Sequence, residues 1–444
     1  MNARMNAKIV CALMMAASIS SVSAQERSPS WQLTPLYTFL GQADGASPVG
    51  VVLDPATNLY GMTYQGGINC AGYGCGVAFK INTRGHETLL HTFTGGSDGG
   101  NPQAGPLRES SGVLYGTTYF GGANNAGALF KLAPQPRACA SVLCPWNETL
   151  LHSFDFSGDG NGPYSTPIQD NDGTLYGTTT GGGQPNCNGG CGTVFKVNTE
   201  GNETLYSFLG PPADGAIPAS PLLLDAQGNL YGTTSSGGSS SACQGGCGTV
   251  FVSTPNGSGW TEHVIYNFTG GADGGDPFAG LVADQHGNLY GTTFNGGGSC
   301  NCGVVFELTP SQNGSWTESV PWTFTGGADG GWPFSGMIID SQGNLYGTTT
   351  GGGLAGGCSA LGTGDPGCGT VFELSPNGSG WIESVPWTFA GGSDGSYPLG
   401  PVVMDAQGNL YGAAYYGGDL NSANPACAPS GTPVGCGTVF KLTP

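Results

Sequence analysis

The tripeptide Leu-Tyr-Gly occurs seven times in this chain, first at 59–61 and last at 410–412, at intervals of 55 to 65 residues. Each copy lies among short apolar runs and glycine-rich turns. A regular interval of this size indicates a repeat protein with one supersecondary unit per repeat. The 444 residues include 84 glycines and 30 prolines and only 9% are charged, so residues that favour helices are scarce. We therefore expect an all-β fold.

The fourth repeat shows how one unit is organised. The apolar run 221–225 and a tight turn lead into 230–234, which contains Leu-Tyr-Gly. A glycine- and serine-rich loop then leads to 248–251, and a second turn leads to 260–268. Short apolar runs bounded by Gly, Asn and Ser are typical of strands. We predict four antiparallel strands per unit, named a, b, c and d in chain order.

The two ends of the chain predict how the repeats close. Trp31 and Phe39 have the spacing of eight residues that Trp260 and Phe268 have in a strand d, so 31–39 is a strand d without a unit of its own. The chain ends on a strand c at 437–441. The N-terminal strand therefore completes the last sheet, which removes exposed edges. We predict a seven-bladed β-propeller forming one domain over 25–444; the alternative is an open β-solenoid, but four-stranded units are too large for its rungs.

The first 24 residues have the features of a signal peptide. Arg4 and Lys8 precede the apolar run 9–19, and a small-x-small pattern ends at Ala24. A membrane anchor is the alternative, but a span needs about 20 apolar residues. Cleavage leaves 8 basic and 29 acidic residues, a net charge of −21. Such a charge disfavours nucleic acid and anionic membranes as partners. We expect no membrane span in the mature chain, and a secreted or periplasmic/cell-surface location.

Cysteine usage agrees with export. Of the 15 cysteines, Cys11 lies in the predicted leader and the other 14 form near-neighbour pairs, one per repeat. The pairs are Cys70/Cys75, Cys139/Cys144, Cys187/Cys191, Cys243/Cys247, Cys300/Cys302, Cys358/Cys368 and Cys427/Cys436. We expect a local disulfide in each unit, formed in an oxidising compartment. Zinc is the competing interpretation, but each pair offers two ligands where zinc usually takes four.

The repeated motifs resemble a known family. Gly-Asn-Leu-Tyr-Gly-Thr-Thr, Cys-Gly-Thr-Val-Phe and Phe-Thr-Gly-Gly-Ala-Asp-Gly are similar to the GloVer-type tandem-repeat (choice-of-anchor) exported bacterial proteins, and the resemblance covers 31–444. It implies an exported repeat protein, often tethered by a C-terminal sorting anchor, and it implies no activity. This sequence ends at Pro444 without such an anchor, so we expect a freely secreted or periplasmic protein.

Every unit also carries Asp-Gly-x-x-Pro in the connection from strand d to strand a. The seven aspartates are Asp44, Asp98, Asp159, Asp214, Asp273, Asp329 and Asp394. A ring of carboxylates at the channel mouth would suit calcium, which prefers oxygen ligands. The alternative is that each aspartate binds nearby backbone N–H groups in an Asx-turn, and repetition in all units favours this structural role. We expect no cofactor, with calcium as the one candidate metal.

Aromatic residues break the repeat on the same face. The residue after the strand b motif is, in order, Tyr64, Tyr119, Thr180, Ser235, Phe294, Thr350 and Tyr415. The tyrosines belong to blades seven, one and two, which are neighbours in a closed ring, and Trp332 and Tyr397 in the d-to-a loops extend this arc to blade six. Exposed aromatics on a polar face suit a sugar or a protein partner. Tyr64, Tyr119, Trp332, Tyr397 and Tyr415 are therefore the candidate ligand-binding residues; the alternative is that these rings cover loop bases and pack on glycine.

Catalytic signals are weak. The five histidines do not group, and no catalytic residue is assigned. Asp155, Asp159, Asp276 and Asp419 lie on the loop-rich face, where a pair of carboxylates could cleave a glycoside, but no spacing selects a pair. A glutamate recurs on strand d as Glu87, Glu148, Glu203, Glu262, Glu318 and Glu383, and we interpret it as protection against edge-to-edge pairing.

These observations favour a monomeric, exported protein whose loop-rich face acts as a binding or scaffolding surface. The expected partner is a polysaccharide or a cell-surface protein. The alternative function is a polysaccharide-active hydrolase or lyase that uses loop carboxylates. A structural role without a small ligand is the third interpretation.

Overall fold

The computed structural model describes residues 31–67, 70, 72–134, 146–156, 158–198, 201–257, 259–353, 358, 367–420, 424, 427 and 434–444. Trp31–Pro444 forms one compact unit. The predicted signal peptide lies outside the described residues and stays a prediction. Among the residues described, no helix is long and apolar enough to cross a membrane.

The described chain forms 31 strands. The first is β1 (Gln32–Thr38). Blade 1 contains β2 (Ala46–Leu53), β3 (Leu59–Gln65), β4 (Val77–Ile81) and β5 (Glu87–Thr92). Blade 2 contains β6 (Leu107–Arg108), β7 (Leu114–Thr118), β8 (Ala128–Ala133) and β9 (Asn147–Ser153). Blade 3 contains β10 (Asn161–Pro163), β11 (Ile168–Gln169), β12 (Leu175–Gly181), β13 (Thr193–Asn198) and β14 (Gly201–Ser207).

The second half repeats this order. Blade 4 contains β15 (Gly215–Ala216), β16 (Leu223–Leu224), β17 (Leu230–Thr234), β18 (Ser236–Gly237), β19 (Thr249–Asn256) and β20 (Gly259–Asn267). Blade 5 contains β21 (Val282–Ala283), β22 (Leu289–Thr293), β23 (Val304–Pro310) and β24 (Trp316–Thr323). Blade 6 contains β25 (Ile338–Ile339), β26 (Leu345–Thr349), β27 (Thr370–Asn377) and β28 (Gly380–Thr388). Blade 7 contains β29 (Val403–Met404), β30 (Leu410–Ala414) and β31 (Thr438–Thr443).

The first strand of the chain completes the last blade, as the sequence predicts. The sheet of blade 7 has the order β1-β31-β30-β29, and β1 pairs antiparallel with β31 from Gln32 opposite Thr443 to Thr38 opposite Thr438. The other six blades have the predicted a-b-c-d order of antiparallel strands. The molecule is therefore a seven-bladed β-propeller closed by its N-terminal strand.

A ring of phenylalanine pairs holds neighbouring blades together. In each pair, the phenylalanine that follows strand d packs against the strand c phenylalanine of the next blade, with centroids 5.0 to 5.2 Å apart. The pairs are Phe39/Phe79, Phe93/Phe130, Phe154/Phe195, Phe208/Phe251, Phe268/Phe306, Phe324/Phe372 and Phe389/Phe440. All 14 rings are at most 1% exposed, so they form the apolar core between the sheets.

The Leu-Tyr-Gly repeat has a separate physical reason at each position. The leucine is buried in the core, as at Leu230. The glycine lies under the strand c phenylalanine: a Cβ on Gly232 would lie 2.6 Å from Cζ of Phe251, and the other six glycines would meet their rings at 2.3 to 2.6 Å. The tyrosine hydroxyl reaches the a-to-b turn, where Tyr411 donates to Asp405 at 2.9 Å. The tripeptide is thus a packing requirement of the blade.

The innermost strands of blades 2 to 7 have only two regular residues each and are shorter than predicted, whereas β2 of blade 1 is eight residues long. The sequence predicts strand a of blade 4 over 221–225, but only β16 is regular. Each inner segment is preceded by a proline, which has no N–H to donate, and by a residue in the left-handed region. This interrupts the ladder with strand b in blades 2 to 7 and shifts its register between Pro48 and Gly50 in blade 1. Small residues let adjacent inner segments touch: a Cβ on Gly105 would lie 2.9 Å from the carbonyl carbon of Gly50.

Candidate functional site

The d-to-a and b-to-c connections lie on one face of the propeller, which we call the loop face; the a-to-b and c-to-d turns form the turn face. The Asp-Gly-x-x-Pro aspartates organise the loop face. Asp273 accepts hydrogen bonds from the Thr269 N–H at 2.8 Å and from the Tyr266 hydroxyl at 3.1 Å. Asp214 accepts the equivalent hydrogen bonds from the Leu209 N–H and the Tyr206 hydroxyl, each at 2.8 Å.

The other described loops repeat this pattern, with a backbone N–H as donor to Asp44, Asp98, Asp159, Asp329 and Asp394. This is the Asx-type role that the sequence left as the alternative to calcium binding. Within the described part of the chain, no group of three or more His, Cys, Asp or Glu side chains is placed to hold a metal ion.

The residue before each loop proline adopts a left-handed backbone in all seven units. These residues are Ser47, Asn101, Gly162, Ile217, Asp276, Trp332 and Tyr397, with φ between 54° and 62°. For residues other than glycine this conformation costs roughly 1 kcal/mol. One hydrogen bond accompanies it everywhere: the N–H donates to the carbonyl just before strand c of the preceding blade, as from Trp332 to Cys302 at 2.7 Å. A constant framework therefore presents seven different side chains.

Disulfides support these loops. Six of the seven predicted pairs are described and bonded: Cys70–Cys75, Cys187–Cys191, Cys243–Cys247, Cys300–Cys302, Cys358–Cys368 and Cys427–Cys436. The pair Cys139/Cys144 lies outside the described residues. Each described disulfide packs on a loop glycine: a Cβ on Gly95 would lie 2.5 Å from Sγ of Cys70. The disulfide thus supports the segment that carries the left-handed residue.

Two variable positions lie side by side on the loop face. In five blades the carbonyl of the left-handed residue accepts the N–H of the residue that follows the strand b motif, as between Tyr397 and Tyr415 at 3.1 Å. A third variable position follows the loop proline and lines the central cavity. Its residues, which we call the collar, are Val49, Gln103, Tyr164, Ala219, Phe278, Phe334 and Leu399.

Aromatic side chains from these positions meet around the channel mouth. Ring centroids lie 6.1 Å apart for Tyr397/Tyr416, 4.8 Å for Tyr415/Tyr416, 6.4 Å for Tyr64/Tyr415, 6.0 Å for Tyr119/Tyr164, 6.5 Å for Tyr164/Phe334, 5.0 Å for Phe278/Phe334 and 6.0 Å for Phe278/Phe294. We call these rings the aromatic mouth. They are neither fully buried nor fully exposed, so each keeps part of its surface for a ligand.

Burial raises the pKa values of several tyrosine hydroxyls in the aromatic mouth. It raises the pKa of Tyr164 to about 12, and the nearby Tyr119 and Tyr64 add to this effect. Burial also raises the pKa values of Tyr64, Tyr415 and Tyr416. These hydroxyls therefore remain protonated near neutral pH and can donate as well as accept hydrogen bonds.

The aromatic mouth opens onto an apolar cavity of about 340 Å³ on the propeller axis. The cavity is lined by inner segments from all seven blades. Several wall carbonyls accept a threonine hydroxyl from the preceding blade, as between Thr233 and the Ala279 carbonyl at 2.9 Å. Because these polar groups are already hydrogen-bonded, the cavity offers mainly apolar surface.

Four of the five predicted binding residues take part in the aromatic mouth: Tyr64, Tyr119, Tyr397 and Tyr415. The fifth, Trp332, packs with the core cluster around Cys302 and Phe324 and is not in ring contact with the aromatic mouth in the described ranges. Tyr64 and Tyr415 also pack on a core cluster, the one around Cys75 and Phe93, but they contact each other as well. Sequence reasoning missed Tyr164, Phe278 and Phe334. The signal for them was available, since each directly follows the proline of Asp-Gly-x-x-Pro.

The candidate catalytic carboxylates do not all meet in one place. Asp155 and Asp159 share the loop that enters blade 3, where His152 Nε2 lies 2.7 Å from Asp159. Burial and the neighbouring Asp155 carboxyl raise the pKa of Asp159. Asp276 lies in the loop that enters blade 5, where it accepts a hydrogen bond from Asn295 Nδ2 at 2.6 Å. The strand d glutamates are half-buried, with one carboxyl oxygen buried in each of Glu87, Glu148, Glu262, Glu318 and Glu383, and their role in preventing edge-to-edge pairing stays a prediction.

Fold and site together define the class: a β-propeller whose constant loop framework displays variable side chains around a central mouth. The chain belongs to the Gloeobacter/Verrucomicrobia repeat family, whose model matches residues 26–149 and 143–363. This agrees with the resemblance seen in the repeated motifs.

Two solved structures resemble this chain weakly. A candidate gluconolactonase is 12% identical with a TM-score of 0.39, over 72% of this chain and 89% of the other. PorZ, a surface component of the type-IX secretion system of Porphyromonas gingivalis, is 13% identical with a TM-score of 0.40, over 80% of this chain and 47% of the other. No curated protein matches the sequence.

Proposed function

We propose that this protein is an exported binding module that holds a carbohydrate on its loop face, over the aromatic mouth. The observation that carries the proposal is that the loops combine a constant backbone with variable side chains. Backbone conformation, capping aspartate and hydrogen bonds repeat around the ring, while the side chains that they present differ. A repeat needs a constant framework to fold, whereas a ligand needs a particular set of side chains.

The chemistry of the aromatic mouth suits a sugar. Tyr119, Tyr64 and Tyr415 offer partly covered rings for stacking, and their hydroxyls can exchange hydrogen bonds with sugar hydroxyls. Gln103 and Asn101 add amide groups beside Tyr64, with which Gln103 makes a side-chain hydrogen bond. A rigid site of this kind loses little conformational entropy on binding.

Export rests on the predicted leader and on local disulfides, which are typical of oxidising compartments. We place the protein outside the cytoplasm as a monomer, in secreted, periplasmic or cell-surface form. A polysaccharide hydrolase or lyase is the alternative function. Asp276 lies in the loop that enters blade 5, apart from Asp155 and Asp159, so only the Asp155/Asp159 pair supports this alternative. These two side chains are hydrogen-bonded to each other, which places them closer than the roughly 5 Å or more that glycoside cleavage needs.

Native affinity electrophoresis of residues 25–444 through gels that contain different polysaccharides, with and without calcium, tests the proposal. We expect one glycan to retard the protein. Tyr119→Ala should remove most of the retardation and leave the melting temperature nearly unchanged. Phe120→Ala should do the same, because its ring is 42% exposed and its centroid lies 4.7 Å from that of Tyr119. Ile382→Ala, which removes an outer-strand side chain that is 54% exposed, is the control and should be retarded like the parent. Mobility that no glycan changes, or that Tyr119→Ala leaves as in the parent, would overturn the proposal.

A further inference from the structure

On the turn face, the strand b tyrosine of one blade packs against the strand d tryptophan of the next. Between blades 1 and 2, Tyr60 and Trp146 have centroids 6.0 Å apart, and between blades 5 and 6, Tyr290 and Trp381 have centroids 5.8 Å apart. The two interfaces therefore have the same aromatic construction. They differ in the charged residues around it.

In several blades the protein places its own cation over this tyrosine. The Lys80 ammonium lies 5.1 Å from the Tyr60 ring centroid, and the Arg108 guanidinium from blade 2 lies 5.5 Å from the same ring. Lysines take the same place in blades 2 and 7: Lys131 over Tyr115 at 5.8 Å and Lys441 over Tyr411 at 5.6 Å. A cation over an aromatic face is favourable, more so where water is partly excluded.

Blade 5 carries the opposite charge at this position. Glu307 pairs with Tyr290 in the strand register, where Lys80 pairs with Tyr60, and Ile339 stands in place of Arg108. The Tyr290 hydroxyl donates to Glu307 at 2.9 Å and lies 3.4 Å from a carboxyl oxygen of Asp284. The Tyr290/Trp381 pair is therefore retained, but glutamate replaces the lysine of blade 1 and isoleucine replaces the arginine of blade 2.

Tyr290 and Trp381 line a groove with a volume of about 850 Å³. It is lined by Tyr290, Trp381, Asp284, Asp340 and His286, among others. The electrostatic field around the groove is also negative, because residues 197–440 contain 18 acidic residues and no lysine or arginine. Such a field raises the local concentration of cations.

We infer that the groove between blades 5 and 6 binds a small organic cation, an alkylammonium or guanidinium compound, with its charge over the Tyr290 ring, at the place that Arg108 takes over Tyr60. Trp381 covers the alkyl part of the ligand. Asp284 and Asp340, which line the groove, supply the counter-charge, and Glu307 adds negative charge behind the Tyr290 hydroxyl that it binds. The site lies on the turn face and is independent of the carbohydrate proposed for the loop face.

Ligand-observed NMR of the mature chain with n-butylammonium or ethylguanidinium chloride, at constant ionic strength in KCl, tests the inference. We expect saturable binding of at least one of the two. Glu307→Lys supplies the internal cation and should weaken binding by ~5-fold or more, as should Trp381→Leu. Glu307→Gln, which removes only the charge, should give an intermediate loss if the fold is kept, as checked by thermal melting.

Val252→Lys is the matched control, because Val252 pairs with Tyr231 in blade 4 as Glu307 pairs with Tyr290 in blade 5. It adds a lysine at the same repeat position and should leave binding unchanged. Absence of saturable binding by either cation would overturn the inference. Equal losses in Val252→Lys and Glu307→Lys would also overturn it, because they would show a general charge effect in place of a site between blades 5 and 6.

Discussion

Phe39, next to the first strand of the chain, packs edge-on against Phe79 of blade 1 with ring centroids 5.1 Å apart. Both rings are 0% exposed. The contact lies where the two ends of the repeat array meet, so it joins blade 7 to blade 1 as the six other phenylalanine pairs join neighbouring blades. Closure of the propeller therefore depends on the same core contact as every other interface.

Phe39→Ala should lower the free energy of unfolding by about 3–5 kcal/mol, because it leaves a cavity at this interface. Urea denaturation followed by tryptophan fluorescence measures the effect. Leu40→Ala is the control, since the adjacent leucine is 48% exposed and should cost less than about 0.5 kcal/mol. A loss for Phe39→Ala no larger than that of the control would contradict closure by the N-terminal strand.

The packing of the glycine in the Leu-Tyr-Gly motif leads to a second prediction about stability. A Cβ on Gly232 would lie 2.6 Å from Cζ of Phe251 and 3.0 Å from Cδ2 of Leu222, in a core without room to yield. Gly232→Ala should therefore cost roughly 1–3 kcal/mol of unfolding free energy, as overpacking does. Gly314→Ala is the control for the loss of a glycine, because a Cβ at this turn would meet nothing within 4 Å. The φ of Gly314 is 83°, so this substitution has a backbone cost of its own of about 1 kcal/mol. If Gly232→Ala is no worse than this control, the packing explanation of the repeat is wrong.

The strand d glutamates predict how stability depends on pH. Burial, together with Asp214, raises the pKa of Glu262 from 4.5 to about 8, and burial with Asp44 or Asp329 raises those of Glu87 and Glu383 to about 7. Between pH 5 and 8 the folded protein thus binds more protons than the unfolded chain, so its stability falls as the pH rises through this window. Each group contributes about 1 kcal/mol after allowance for solvent screening.

Urea midpoints at pH 5 and pH 8.5 measure this dependence, with the higher midpoint expected at pH 5. Glu262→Gln should reduce the difference, whereas Asp172→Asn, which alters an exposed turn residue, should not. At lower pH the trend reverses, because hydrogen bonds from Asn58 and Asn409 outweigh burial and hold the pKa values of Asp54 and Asp405 below 3.8. Equal midpoints at pH 5 and 8.5 would show that the glutamates are solvated.

The architecture was predictable because its signals are backbone requirements that recur in every unit. The glycine under Phe251 and the spacing from Trp260 to Phe268 mark strands wherever they occur, including the strand at 31–39. The site was predictable only in part. The convergence of Tyr164 with Phe334 depends on how inner segments from distant blades meet at the axis. Glu262 interacts with Tyr206 of the preceding blade and with Asp214, and the sequence of one unit does not contain this information.

Blade 2 supplies the last prediction, through a paired replacement. Ala126 takes the place of the second loop cysteine, and its carbonyl accepts the N–H of Gly162 as the cysteine carbonyls do in other blades. Phe156 takes the place of the glycine that other blades press against their disulfide, with a φ of 66° and 56% exposure. Ala126 brings no sulfur atom to this position, which therefore tolerates a side chain.

Gly95→Ala should therefore disrupt blade 1, because its Cβ would lie 2.5 and 2.7 Å from the sulfur atoms of Cys70 and Cys75 at a φ of 73°. We expect a loss of about 1–3 kcal/mol and more free thiol per chain by thiol titration. Phe156→Gly at the equivalent position should instead raise stability by up to about 1 kcal/mol, because it relieves the left-handed backbone. Equal effects of the two substitutions would show that the disulfide does not restrict this loop position, and blade 2 would then need another explanation for its phenylalanine.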